Sequence, residues 1–121
     1  MENLETAEIR EHLEFLEFRQ QLLFENTEFS RFLFETKVTK EQLDRIYDLM
    51  DSLSGEIREE KLITHSAYEQ QIYEIVPAKR GNYHFAESIS QILHESRRWP
   101  EVFEHVYGSM EKFKSYLNKE E

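Results

Sequence analysis

The sequence contains no cysteine, and it has only three glycines and two prolines among its 121 residues. The absence of cysteine excludes disulfide bonds and thiolate metal sites, and it is compatible with a reducing compartment. So few glycines and prolines disfavour a sheet protein with many tight turns and favour helices joined by short connections.

Long apolar runs and basic side chains are scarce as well. No run reaches the roughly 18 apolar residues of a membrane-spanning helix, and the N-terminal residues lack the basic and apolar regions of a signal peptide. The chain has 25 acidic residues and 15 basic ones, which gives a formal net charge of -10. Such a chain repels nucleic acid and anionic membranes but attracts a basic protein. We therefore expect a cytoplasmic protein that binds neither nucleic acid nor membranes.

Apolar residues recur at helical spacing over most of the chain. The length suits a single domain over residues 1–121 with a core over about 5–117, and we predict an all-α bundle of five to six helices. Pro77 is expected to end the fourth helix and Pro100 to begin the sixth. The predicted helices cover residues 5–25, a short segment after Asn26 or Thr27, and residues 39–60, 64–76, 83–96 and 100–118.

The first predicted helix carries two apolar stripes that lie about 140° apart around its axis. One stripe steps 4, 3, 4, 3 along the chain and consists of Ile9, Leu13, Leu16, Gln20 and Leu23. The other consists of Phe15, Phe18 and Leu22. A small bundle cannot cover both stripes unless this helix is central. We therefore expect the second stripe to be exposed and to hold a homo-oligomer together; the alternative is a central core helix with the interface elsewhere.

A row of acidic residues lies on the outer face of the third predicted helix. Its members step 3, 4, 3 along the chain, and they are Glu41, Asp44, Asp48 and Asp51. Like charges at these spacings cost a few tenths of a kcal/mol per pair. A basic partner protein or a loosely held cation would offset this repulsion, so the row is a candidate binding site. The alternative is that a very acidic protein has such rows by chance.

Histidine and glutamate residues concentrate in the fifth predicted helix. There His84, Glu87 and His94 fall opposite the apolar face at 100° per residue. A shared face suits a metal site, so a metal-binding bundle or metal-dependent enzyme is one alternative function. The Glu-x-x-His motif typical of such bundles does not occur here. The other interpretation is an ordinary solvated face, and we predict no metal and no cofactor.

No catalytic constellation is recognisable elsewhere. The sequence has no Gly-rich phosphate loop and no HExxH motif, and its isolated Ser and His residues cannot be paired from sequence. Trp99 lies in the turn between the fifth and sixth helices, where we interpret it as a wedge between the two. The patterns predict a non-enzymatic, self-associating protein that acts through protein contacts. A small acidic regulator of a basic protein is the second alternative.

The order of these features resembles the YhaI-like family of small all-helical bacterial proteins. The segments that carry the resemblance span nearly the whole chain, and they are IREHLEFLEFRQQLL, TEFSRFLFETKVTKEQ, AYEQQIYEIV and FAESISQILHESRRWPEVFEHV. The resemblance implies a helical bundle of unassigned function, and it supplies no catalytic residues.

Overall fold

The computed structural model describes residues 3–119, and within that range it contains α-helices and one 3₁₀ turn but no strand. The prediction of an all-α protein is confirmed, although the described residues form seven α-helices rather than five to six. The helices are α1 (Leu4–Glu25), α2 (Glu28–Thr36), α3 (Lys40–Arg58), α4 (His65–Ile75), α5 (Tyr83–Glu95), α6 (Pro100–Tyr107) and α7 (Glu111–Lys119), with the 3₁₀ turn at Pro77–Lys79.

Side-chain caps begin several of these helices. A capping box begins α3, because Gln42 N donates to Thr39 Oγ1 at 3.1 Å and Thr39 N donates to Gln42 Oε1 at 3.0 Å. At α4, the cap is Thr64, which accepts from Ala67 N at 3.1 Å.

The extra helix arises from a break near Gly108. The sequence predicts one helix over residues 100–118, but α6 ends at Tyr107 and α7 begins at Glu111. A Cβ atom at Gly108 would overlap the carbonyl oxygen of Glu104, so the backbone there is packed more tightly than a side chain permits. Only glycine permits this close approach of the Glu104 carbonyl without a shift of the chain.

The chain divides into two compact units, residues 1–43 and residues 44–121. The prediction of a single domain stays a prediction. In the first unit, α1 packs against α2. Phe18 and Leu22 are the buried side chains of α1, and Phe29 and Leu33 are buried on α2.

The second unit holds most of α3 together with α4–α7, and α5 contacts both α4 and α6. Its core is rich in aromatic rings. Tyr68 and Tyr107 meet edge to face with 5.9 Å between their centroids, and the Phe103 ring lies 5.0 Å from that of Phe113. Fully buried aliphatic side chains complete this core, including Ile46, Met50, Leu53, Ile72, Ile89 and Leu93.

Candidate functional site

The most exposed apolar surface in residues 3–119 lies on α1. Eight large hydrophobic side chains in that range are exposed, and six of them belong to this one helix. Four of the six share the stripe with spacing 4, 3, 4, 3, and their exposed fractions are 55% for Ile9, 61% for Leu13, 52% for Leu16 and 55% for Leu23. Exposed Gln20 completes the stripe. We call these five residues the α1 stripe.

The α1 stripe is exposed to solvent because the opposite side of α1 is the one that packs within the chain. Phe18 and Leu22 are only 7% and 3% exposed. Near them Arg19 fixes α1 to α2, because its Nη1 donates to the Phe34 carbonyl at 2.9 Å and its guanidinium lies 3.8 Å from the centroid of the Phe34 ring. One side of α1 is thus buried within the chain, and the other side faces outward.

The expectation that Phe15, Phe18 and Leu22 form an exposed stripe is wrong for Phe18 and Leu22, and Phe15 is half-buried. The physical reason is that the fold covers the stripe that contains two phenylalanines, which removes large apolar area from water. Both stripes were identified in the sequence, but the assignment of inside and outside was reversed.

A groove beside the α1 stripe was not predicted. It encloses about 930 Å³ between α1 and the start of α3, all within residues 1–43. Its apolar part is formed by Phe15, Phe18 and Phe24, and Phe24 is 89% exposed. The remaining lining is polar, with acidic residues as half of its members, and it consists of Glu11, Glu14, Glu17, Gln20, Gln21, Thr39, Lys40 and Glu41.

The acidic row on α3 is exposed along its whole length, but its members have different surroundings. Glu41 lines the groove. Asp48 lines a shallow hollow of about 340 Å³ that also contains Arg45 and Glu74. Asp51 accepts a hydrogen bond from Trp99 Nε1 at 2.8 Å. Asp44 has a neighbour of its own as well. The row is therefore not a uniform acidic strip.

The candidate metal residues on α5 are not on a solvated face. Glu87 and His94 are each only 6% exposed, whereas the side chain of His84 is 71% exposed. The cover comes from α7, which is separate from α6 although the sequence predicts one helix over residues 100–118. Lys112 Nζ lies 2.7 Å from Glu87 Oε1, and the Tyr116 hydroxyl lies 3.1 Å from His94 Nδ1. The interpretation of these residues as solvent-facing is wrong for Glu87 and His94.

The hydrogen bonds of His94 define its tautomer when the ring is neutral. Its Nε2 lies 3.3 Å from Glu104 Oε1, which accepts only, so Nε2 carries the hydrogen and Nδ1 accepts from the Tyr116 hydroxyl.

The candidate metal residues do not form a metal site. Glu87 Oε2 lies 3.8 Å from His84 Nδ1, but the other carboxylate oxygen of Glu87 is paired with Lys112. Across residues 3–119, no three His, Asp or Glu side chains come close enough together to hold a metal ion.

Other buried polar groups of the second unit are also paired. The Tyr107 hydroxyl donates to Glu69 Oε2 and the Tyr68 hydroxyl donates to the Ala86 carbonyl, both at 2.7 Å. Burial, and for Tyr107 also the bond to Glu69, raises the pKa of both tyrosines above their usual range. These bonds fix the core of the second unit rather than forming an open site.

Trp99 is the N-cap residue of α6, adopts a left-handed conformation with φ of 46° and is half-buried. Arg98 beside it lies 4.6 Å from the ring centroid of Tyr47 and 5.1 Å from that of Trp99. Together with the bond to Asp51, these contacts fasten the turn to α3. Sequence spacing gave no sign of this cluster, because 48 residues separate Trp99 from Asp51.

Comparisons of the chain with protein-family models, with curated proteins and with solved structures gave no match. The resemblance to the YhaI-like family therefore stays a prediction. Over the described part of the chain, every helix is too short or too polar to cross a membrane.

Proposed function

We propose that this protein is a non-enzymatic, self-associating helical protein that acts through protein contacts, with the α1 stripe as the interface between copies. The observation that carries the proposal is the exposure of four large aliphatic side chains, each more than half exposed, along one face of a 22-residue helix. We also propose that the protein is bacterial and cytoplasmic and that it belongs to the YhaI-like family.

The spacing of the α1 stripe favours another copy of itself as its occupant. Steps of 4, 3, 4, 3 are those of the a and d positions of a coiled coil, which mate with an identical seam on a second helix. The helix of 22 residues is about 33 Å long, and the stripe from Ile9 to Leu23 covers about two heptads of it. Gln20 is the one polar member, and across a symmetric contact two such side chains can hydrogen-bond with each other.

Charge sets the conditions under which copies should pair. The formal net charge of -10 makes two chains repel each other, and the repulsion weakens as salt shortens the screening length. Apolar contact across the stripe is not weakened by salt in this way. Self-association should therefore become stronger when moderate salt is added.

Substitution within the stripe tests the location of the interface. Leu13→Glu and Leu16→Glu place a carboxylate at positions that are 61% and 52% exposed, so the fold should be retained while pairing is lost. The matched control is Leu62→Glu, because Leu62 is 83% exposed and lies outside α1. Sedimentation velocity should show monomers for the two stripe variants and native assemblies for the control. If the stripe variants stay folded and keep the native subunit count, the interface lies elsewhere.

A further inference from the structure

The groove between α1 and the start of α3 shares only Gln20 with the α1 stripe, so the proposed pairing leaves the rest of its lining unused. We propose that this groove binds a basic amphipathic helix from a partner protein. Its volume of about 930 Å³ lies near the upper end of the roughly 300–1,000 Å³ typical of ligand pockets. The groove is open and combines an apolar part with a charged rim, as helix-binding grooves do.

The aromatic side chains of the groove would receive the apolar face of the helix. Phe24 is the most exposed large hydrophobic residue in the described range, at 89%. Phe15, which is half-buried, and the buried Phe18 are the other aromatic residues that line the groove. Phe24 and the half-buried Phe15 offer a new partner apolar area to bury, and aromatic residues are enriched at the centres of protein interfaces.

The rim selects a basic occupant. Glu11, Glu14, Glu17 and Glu41 contribute four carboxylates, and Lys40 is the one cation among the lining residues. Glutamates three residues apart on one helix repel each other, so lysine or arginine residues on a partner would relieve a cost present in the free protein. A second copy of this acidic chain would add to the repulsion instead.

Fluorescence anisotropy with model peptides tests the proposal on the full-length chain. The probe is a labelled peptide of about 18 residues, five helical turns, in which leucines form one face and lysines the other. One comparison peptide has the same composition in an order that forms no leucine face, and another has glutamate in place of lysine. We expect binding of the first peptide only, and weaker binding as salt rises from about 0.05 M to about 0.5 M. Equal binding of the scrambled peptide would overturn the proposal, because it would reflect general attraction to an acidic protein.

Charge-matched variants locate the binding. The triple variant Glu14→Gln, Glu17→Gln, Glu41→Gln removes three exposed rim charges, and we expect about tenfold weaker peptide binding. The control variant Glu8→Gln, Glu35→Gln, Glu74→Gln removes three exposed charges outside the groove and should bind within about twofold of the unaltered chain. Equal loss in both triple variants contradicts the proposal.

The subunit count of the same samples separates this inference from the proposed function. If the groove variant changes the subunit count and leaves peptide binding unaltered, a second copy occupies the groove and the inference is wrong. If Leu13→Glu leaves the subunit count unaltered while the peptide still binds the groove, the self-association proposal fails and this one stands. As the salt concentration rises, we expect pairing of copies to become stronger and peptide binding to become weaker.

Discussion

Phe18 and Leu13 lie five positions apart on α1 and have opposite environments. The phenylalanine is 7% exposed and the leucine is 61% exposed. Hydropathy alone does not separate them, because both stripes are apolar and both have helical spacing. What separates them is which side of α1 packs against α2, and hydropathy at helical spacing does not show which side that is.

A charge at position 18 should therefore unfold the protein rather than dissociate it. Phe18→Glu removes a buried ring and buries a carboxylate, so we expect the free energy of unfolding to fall by about 4 kcal/mol or more. Leu23→Glu is the control, since Leu23 is 55% exposed and the change should cost under about 1 kcal/mol. Urea denaturation followed by circular dichroism measures both, at a protein concentration low enough to favour monomers. Similar losses in the two variants would contradict the assigned orientation of α1.

The buried tyrosines predict a loss of stability in alkali. The pKa values of Tyr68 and Tyr107 are raised in the folded protein above the ordinary value of 10.0. The stability that these raised pKa values give the folded protein is fully present below pH 10 and is lost as the pH rises above 10. The reason is that the unfolded chain loses the two tyrosine protons at a lower pH than the folded protein does. Each group should contribute a slope of up to about 1.4 kcal/mol per pH unit above pH 10. Denaturation of the unaltered chain and of Tyr68→Phe, Tyr107→Phe should show a shallower decline in the double variant; parallel declines would refute the assignment.

At the scale of helices, most boundaries follow from local signals in the sequence. As expected from the sequence, Pro77 follows the end of α4 and Pro100 begins α6. Thr39 and Gln42, three positions apart, form the capping box that begins α3. The break at Gly108 was missed because apolar residues keep their helical spacing through it. With α7 merged into α6, nothing in the sequence indicated that Lys112 and Tyr116 cover Glu87 and His94.

Gly55 and Gly108 give opposite predictions for substitution by alanine. Gly55→Ala lies inside α3, where an added Cβ would meet nothing within 4 Å, so it should stabilise the protein by up to about 1 kcal/mol. Gly108→Ala introduces a Cβ that overlaps the Glu104 carbonyl oxygen, so it should destabilise by about 1–3 kcal/mol. Thermal and urea denaturation compare the two variants with the unaltered chain. A stabilising effect of Gly108→Ala would contradict the close approach of the Glu104 carbonyl to position 108.

At the scale of the whole molecule, composition predicted the fold class but not the surfaces. High charge, few glycines and helical periodicity indicated the all-α architecture. The groove was not visible because it joins residues of α1 to residues about twenty positions further on, at the start of α3. The first unit thus carries two surfaces, the aliphatic α1 stripe, proposed to bind another copy, and the acidic groove with aromatic lining, proposed to bind a basic helix.

The measurement that tests the central claim most directly is the mass of the unaltered chain in solution by multi-angle light scattering, at tens of micromolar protein and moderate salt. Pairing through the α1 stripe predicts a mass of at least twice 14.7 kDa, and a mass that decreases when salt is removed. A mass of 14.7 kDa under all of these conditions would contradict self-association through α1.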